Sequence, residues 1–134
     1  MPELPEVETV TQSVKKHLLG RQFDSIHVNW GKTLHNFTIS DFNSKIKGRA
    51  IKNVYRRAKY IMIDLEKALI GVHLRMTGKL YASNSIDSSK KHISAYLKFG
   101  DKYLIFEDVR KFGRFYMFDN NLASGFCVLT RKST

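Results

Sequence analysis

Short apolar segments, separated by turn residues, fill most of this chain after one helical segment at its start. Several of them alternate apolar and polar residues, which is the period of a half-buried β-strand. The pairs Glu66-Lys67 and Gly100-Asp101 join neighbouring segments and predict hairpins. Strands are predicted at residues 23–30, 51–55, 60–65, 68–74, 80–83, 92–99, 102–106 and 115–118. The pattern predicts an α+β fold, mostly β: a two-sheet β-sandwich or flattened barrel with a long N-terminal helix.

The first segment, residues 5–19, has the apolar spacing of an amphipathic helix that ends at Gly20. Its apolar face consists of Val7, Val10, Val14 and Leu18. We expect this face to pack against a sheet and thereby to hold the first residues of the chain in place. That rigidity matters for any catalytic group at the N-terminus, because catalysis requires fixed geometry.

Local features between these segments are also predicted. The apolar side of the first strand, which includes Trp30, should face the core. A single helical turn is expected at residues 40–46 with Ser40 as its cap. Residues 84–90 are polar and serine-rich, which is typical of a mobile loop, and residues 119–121 predict a turn.

Composition limits the class of protein. At 134 residues the chain has room for one domain with one core, and its apolar share of 43% is that of a folded protein. No apolar run approaches the roughly 20 residues of a membrane span, and the start lacks an export signal, so a cytoplasmic location without membrane association is expected. A single cysteine, Cys127, excludes an internal disulfide and a cysteine-rich zinc site within the chain.

The charge balance points to a polyanionic partner. Lys and Arg total 23 against 12 Asp and Glu, a formal net charge of +11. Such an excess most often indicates nucleic acid binding. The alternative is a basic surface that serves solubility alone, and charge does not separate DNA from RNA or acidic lipid.

The N-terminus can be a catalytic group. Removal of Met1 leaves Pro2 with a free secondary amine whose pKa, like that of other α-amino groups, is roughly 8. Such an amine can attack an aldehyde or a sugar anomeric carbon and form an iminium ion, and Glu3 could move protons for that attack. The alternative is an ordinary helix start, with prolines and acids in the first turn.

Two later basic segments contain further candidates. By strand alternation residues 57, 59 and 61 share one face, so Lys59 is expected to lie half-shielded between Arg57 and Ile61, where it could contact phosphate or donate a proton. A solvated charge run is the alternative. Phe112 stands between cations and a glycine on a predicted loop, which suits insertion into a base stack; core packing is the alternative.

Four segments resemble, in order, the motifs of the formamidopyrimidine-DNA glycosylase (Fpg/Nei) family of base-excision repair enzymes. They are MPELPEVET at residues 1–9, RRAKY at 56–60, HLRMTGKL at 73–80 and DVRKFG at 108–113. The resemblance covers the family's N-terminal catalytic domain and extends to about residue 118. It implies a two-sheet sandwich flanked by helices, in agreement with the strand pattern.

The resemblance implies roles for individual residues. Pro2 is the expected nucleophile, Glu3 handles protons during base loss and sugar-ring opening, and Lys59 donates a proton in the elimination step. Met76 matches the methionine that fills the gap left by an extruded nucleotide. The resemblance gives His73 no such role; because it lies in an apolar run, it is expected to be structural. The expected DNA contacts are Arg57, Met76, His92, Arg110 and Phe112.

The implied activity is that of a bifunctional DNA N-glycosylase and AP lyase. It would remove oxidised purines, such as 8-oxoguanine or formamidopyrimidine, from damaged double-stranded DNA through a Schiff base at Pro2. This chemistry requires no metal or other cofactor, and the family's zinc finger is not expected in this chain. A monomer is expected.

The C-terminal segment departs from the family pattern. Family proteins continue into a second domain with a helix–two-turn–helix element and usually a zinc finger, and both clamp the DNA. Residues 119–134 do not match the linker to it, so a catalytic domain at 1–118, a divergent tail at 119–134 and no second domain are predicted. Weak or absent activity is therefore expected. The alternative functions are a catalytically idle DNA-binding remnant and a basic RNA-binding β-domain.

Overall fold

The computed structural model describes residues 4–66, 68–75, 77–87 and 89–119, which form two antiparallel four-stranded sheets. In chain order the elements are α1 Leu4–Leu18, β1 Ser25–Val28, a 3₁₀ turn Gly31–Thr33, α2 Ile39–Lys45, β2 Asn53–Arg57, β3 Tyr60–Asp64, β4 Ala68–His73, β5 Gly78–Ser83, β6 Ile93–Phe99, β7 Lys102–Asp108 and β8 Arg114–Asp119. One sheet has the order β1–β6–β7–β5 and the other β2–β3–β4–β8. The predicted α+β fold, mostly β with a long N-terminal helix, is confirmed.

Helix α1 packs its apolar face against β2 and β5, the edge strands of the two sheets. Val7, Val14 and Leu18 are buried there. Thr11 is also buried, and its hydroxyl is satisfied because it donates to the Val7 carbonyl at 2.7 Å. The helix is followed by Gly20 at φ 80°, as the sequence predicts. Its packing therefore fixes the start of the helix relative to β2.

The inner faces of the two sheets enclose one core of aromatic and branched aliphatic side chains. Phe23, Phe99, Phe106 and Phe115 are each at most 1% exposed. Phe106 on β7 and Phe115 on β8 come from different sheets, and their ring centroids lie 5.2 Å apart. Because β8 follows β7 through residues 109–113, this contact supports the chain segment that crosses between the sheets.

Two predictions of local structure are wrong. The cap of α2 is Thr38 and not Ser40: Oγ1 of Thr38 accepts from the Asp41 N–H at 3.1 Å, and Oδ2 of Asp41 accepts from the Thr38 N–H at 2.9 Å. Because of this reciprocal capping box, the helix begins at Ile39, earlier in the chain than the predicted cap Ser40 allows. Trp30 does not face the core; it is 36% exposed, because β1 ends at Val28.

The remaining segments are described in part. The described residues between Asn84 and His92 form neither helix nor strand, in agreement with a loop. The turn predicted at 119–121 and the tail 119–134 lie almost wholly outside the described residues, so the domain division stays a prediction. Neither helix within the described ranges is long and apolar enough to cross a membrane.

Candidate nucleic-acid interface

Three chain reversals meet at one end of the sandwich. Tyr60, which opens β3, pairs with His73 at the end of β4, and His73 pairs with Arg114 at the start of β8. In the other sheet Gly78 at the start of β5 pairs with Asp108 at the end of β7. The β2–β3 turn, the β4–β5 connection and the β7–β8 connection therefore lie side by side.

Basic side chains are concentrated on these reversals. They are Arg57, Lys59, Arg75, Arg110, Lys111 and Arg114. The acidic residue that opens the β7–β8 segment, Asp108, is fully buried, whereas Arg75, Arg110 and Lys111 are exposed. This end of the molecule thus presents a positive surface, which attracts the phosphates of nucleic acid.

The sequence prediction for Arg57 and Lys59 is wrong in its geometry. Ala58 has φ 53° and reverses the chain, so Arg57 ends β2, Lys59 lies in the turn and Ile61 belongs to β3. The period of two does not run across a turn, and Ile61 is fully buried while Lys59 is exposed. Lys59 is consequently not half-shielded, although it does lie at the basic end.

Arg56 connects the β2–β3 turn to the start of helix α1. Its Nε donates to Oε1 of Glu8 at 3.1 Å, and its Nη1 donates to the Ala58 carbonyl at 2.9 Å. A hydrogen bond from Gln12 and then the Arg56 guanidinium lower the pKa of the Glu8 carboxyl. The first turns of α1 are thereby held beside the turn that carries Lys59. Pro2, Glu3 and Met76 lie outside the described residues, and their roles stay predictions.

Asp108 organises the β7–β8 segment, and sequence reasoning missed it. Its Oδ1 accepts from the Arg110 N–H at 3.1 Å and from the Thr77 hydroxyl, and its Oδ2 accepts from the Gly113 N–H at 2.7 Å. One buried carboxylate therefore connects the β4–β5 and β7–β8 crossings between the sheets. The available signal was the spacing of an Asx turn, in which an aspartate side chain accepts from the backbone N–H two residues later, here that of Arg110.

The β7–β8 segment presents apolar as well as basic side chains to solvent. Phe112 is 47% exposed and Val109 is 58% exposed. Core packing is thus excluded for Phe112, because the segment around it is anchored by Asp108 and Gly113 with the ring left outside. Exposed apolar residues among cations are typical of a binding surface.

His92 lies next to this segment, immediately before β6. It is exposed, and its carbonyl accepts from the Asp108 N–H at 2.8 Å. The structure therefore brings His92 and Arg110 to the same end of the molecule, through the residue that fixes the β7–β8 segment. Their contact with DNA stays a prediction.

His73 is half-buried within the basic end. Its Nδ1 accepts from the Arg75 backbone N–H at 3.1 Å, so in the neutral ring the proton is on Nε2. Burial, followed by the charges of Arg75 and Lys59, lowers the pKa of the imidazole. The ring stands edge-on to Tyr60 with centroids 4.9 Å apart. Through the bond from the Arg75 N–H, His73 helps to fix the start of the β4–β5 connection.

Comparison with known proteins identifies the family. Residues 1–115 match the model of the formamidopyrimidine-DNA glycosylase N-terminal domain. The chain belongs to this family.

Two formamidopyrimidine-DNA glycosylases illustrate its relatives. The protein from Carboxydothermus hydrogenoformans is 40% identical over 116 residues, 86% of this chain and 44% of that protein. The protein from Streptococcus thermophilus strain CNRZ 1066 is 37% identical over 133 residues, 98% of this chain and 48% of that protein.

Solved structures of formamidopyrimidine-DNA glycosylase share the fold. The Lactococcus lactis Fpg complex with DNA containing an abasic site has a TM-score of 0.85 at 28% identity, over 97% of this chain and 49% of that one. The complex of the same bacterium's enzyme with DNA containing Fapy-dG has a TM-score of 0.85 at 28% identity, over 96% and 49%. The chain thus spans about half the length of the relatives and structures it matches.

Proposed function

We propose that this chain binds damaged double-stranded DNA in base-excision repair and contains the nucleophile of a DNA glycosylase/AP lyase reaction. The observation that carries the proposal is the convergence at one end of the sandwich. There the start of α1, the Lys59 turn and the Arg110–Phe112 segment lie together. The family membership and the DNA bound in the Lactococcus lactis structures support the same partner.

DNA binding would use the exposed cations and the exposed ring of Phe112. Arg75 and Arg110 project from neighbouring connections that Asp108 holds together through Thr77. Cations fixed in this way suit the regularly spaced phosphates of one duplex. Phe112 would insert where a nucleotide leaves the stack, and such wedges offset part of the few kcal/mol that base extrusion costs.

The chemical steps would start at Pro2. Its nitrogen forms a bond to C1′ of the sugar while the bond from C1′ to the base breaks. The base leaves with that electron pair and gains a proton, and the nitrogen gives up its N–H proton, which restores its lone pair for ring opening. Opening of the sugar ring, with a proton delivered to the ring oxygen by Glu3, gives the iminium ion. Loss of a C2′ proton then expels the 3′ phosphate, and Lys59 supplies a proton in this elimination.

The proposed substrate class is oxidised purines, 8-oxoguanine and formamidopyrimidine. The relatives' name and the Fapy-dG bound in a Lactococcus lactis structure support this assignment. The reaction as proposed uses an amine and proton-transfer groups, and no step requires a metal or cofactor. The acting species would be the monomer in the cytoplasm.

Borohydride trapping on a duplex with one abasic site tests the chemistry. Borohydride reduces the iminium and leaves a covalent protein–DNA band. Wild type, Pro2→Gly, Glu3→Gln and Lys59→Met are compared, with the intact mass of each checked for loss of Met1. We expect a strong band for wild type and a much weaker one for Pro2→Gly at equal DNA binding, because glycine replaces the secondary amine with a primary one. A band of equal strength in Pro2→Gly would refute the role of Pro2.

DNA binding without chemistry is the second candidate. It is favoured by the geometry around Arg110 and Phe112, which is set by Asp108 and does not involve the N-terminal amine. Wild type that has lost Met1, binds the abasic duplex and gives no band would establish it. Tighter binding to RNA than to duplex DNA would instead support an RNA-binding domain.

A further inference from the structure

Trp30 is a partly exposed aromatic residue beside the β7–β8 segment. It follows β1, and its backbone N–H donates to the Ser94 carbonyl at 3.1 Å. The N–H of the preceding residue, Asn29, donates to the same carbonyl at 2.8 Å. Its position is therefore set by strand β6, close to His92, and not by the core.

Two lysine side chains contact the indole ring. Nζ of Lys111 lies 5.2 Å from a ring centroid of Trp30, and Nζ of Lys32 lies 5.9 Å from it. Both distances fall within the range of a cation–π contact. Lys111 comes from the β7–β8 segment and Lys32 from the turn Gly31–Thr33, so the ring brings together cations from two separate connections.

The two ammonium groups repel each other when they are held against one ring. Within the part of the chain that the structure describes, no acidic side chain forms a salt bridge with either lysine. An anion placed beside the ring would remove this repulsion without new ordering of the side chains. Pre-ordered cations of this kind favour binding because less side-chain freedom is lost.

We infer that Trp30, Lys32 and Lys111 form a subsite for the sugar–phosphate backbone of bound DNA, next to the Phe112 segment. The inference rests on the proposed function, since the subsite extends the basic end towards β6. The lysines would neutralise backbone phosphates, and the indole ring would hold them in position. Phe112 and Trp30, both exposed, would then lie on either side of Lys111 and contact the same duplex.

The sole tryptophan of the chain gives a direct measurement. Labelled-duplex anisotropy reports DNA binding, while the emission of Trp30 and its quenching by acrylamide report the subsite in the same titration. We expect acrylamide quenching of Trp30 to fall as DNA binds, with the same midpoint as the anisotropy. The salt dependence of the binding constant supplies the second readout.

The variants are Lys32→Gln, Lys111→Asn, both together, and Trp30→Leu, with Trp30→Phe as the ring-preserving control. Asn is chosen at Lys111 because its φ of 59° disfavours most other residues. Lys16→Gln removes an exposed charge from the last turn of α1 and is the matched charge control. Circular dichroism checks that each variant is folded.

Each lysine variant should reduce the slope of log K against log salt by about 0.9, and the double variant by about twice that. Trp30→Leu should weaken binding about fivefold, in line with two exposed cation–π contacts, and Trp30→Phe should weaken it less. Unchanged slopes and unchanged Trp30 quenching, in a wild type that binds duplex DNA, would overturn the subsite alone. A wild type that binds no duplex DNA at low salt would overturn the proposed function as well.

Discussion

The backbone N–H of Gly113 donates to Oδ2 of Asp108 at 2.7 Å, within a buried site that closes the β7–β8 segment. The other carboxylate oxygen accepts from the Arg110 N–H and from the Thr77 hydroxyl. Asp108 is therefore the residue through which the exposed ring of Phe112 and the cation of Arg110 are fixed to both sheets. We expect its contribution to the proposed DNA binding to be indirect, because it positions other groups.

Asp108→Asn should lower both stability and DNA affinity. An amide has only one acceptor oxygen, so either the buried Gly113 N–H or the Thr77 hydroxyl loses its acceptor, which costs about 1–3 kcal/mol of unfolding free energy. Urea unfolding measures that loss. Anisotropy with an abasic duplex measures the affinity, which should fall because the Arg110–Phe112 segment becomes less ordered.

Asp101→Asn is the matched control for the charge of Asp108. The Asp101 side chain is 91% exposed, and its substitution removes the same negative charge from a hairpin turn of the protein. Electrostatics alone would make either variant bind DNA slightly more tightly. Weaker binding by Asp108→Asn together with unchanged or tighter binding by Asp101→Asn therefore separates positioning from charge. If both variants bound more tightly, the positioning role would be wrong.

Gly113→Ala should destabilise the fold through a steric clash. A Cβ at this position would overlap the ring of Phe106 and would lie 3.1 Å from the His73 carbonyl oxygen. Neither the core ring nor the strand backbone can move freely, so a loss of about 1–3 kcal/mol is expected. Gly31→Ala is the control, because a Cβ there has no neighbour within 4 Å and the backbone has no positive φ. Equal unfolding midpoints for the two variants would contradict the packing described.

The sequence predicted the secondary structure well and the side-chain geometry less well. Helix α1 and the hairpin of β3 and β4 depend on local periodicity and were found where predicted. The face of Lys59 was wrong, because a left-handed residue at Ala58 interrupts the period. Asp108 was missed and Trp30 was wrongly expected to face the core, since their contacts with Thr77 and Lys111 join residues far apart in the chain.

Stability should decrease as the pH falls through the titration range of His73. Burial and the neighbouring cations lower the pKa of its imidazole in the folded protein, whereas the unfolded chain has the ordinary value of about 6.5. Between the two pKa values the unfolded state binds more protons, so this contribution is complete above about pH 6.5 and is lost as the pH falls below it. Urea midpoints measured from pH 5 to 7.5 follow this loss.

His73→Gln should flatten this pH dependence, because the titrating group is gone. His17→Gln, on the exposed side of α1, is the control and should leave the dependence as in wild type. A long-range ¹H–¹⁵N spectrum of wild type at pH 7 should show the proton of the His73 ring on Nε2, since Nδ1 accepts from Arg75. A wild-type pH dependence that His73→Gln leaves unchanged would assign the effect to another group.

Phe112→Ala should reduce binding of the abasic duplex without changing stability. The side chain is 47% exposed, so its removal should change the unfolding free energy by no more than about 0.5 kcal/mol. Affinity for the abasic duplex should fall about tenfold, because the wedge that fills the disturbed stack is lost, while affinity for an intact duplex should change less. Leu19→Ala is the matched control: Leu19 is 49% exposed directly after the C-terminal end of α1, and its substitution should affect neither measurement. Equal losses for abasic and intact duplex would show that Phe112 contacts DNA without acting as a wedge.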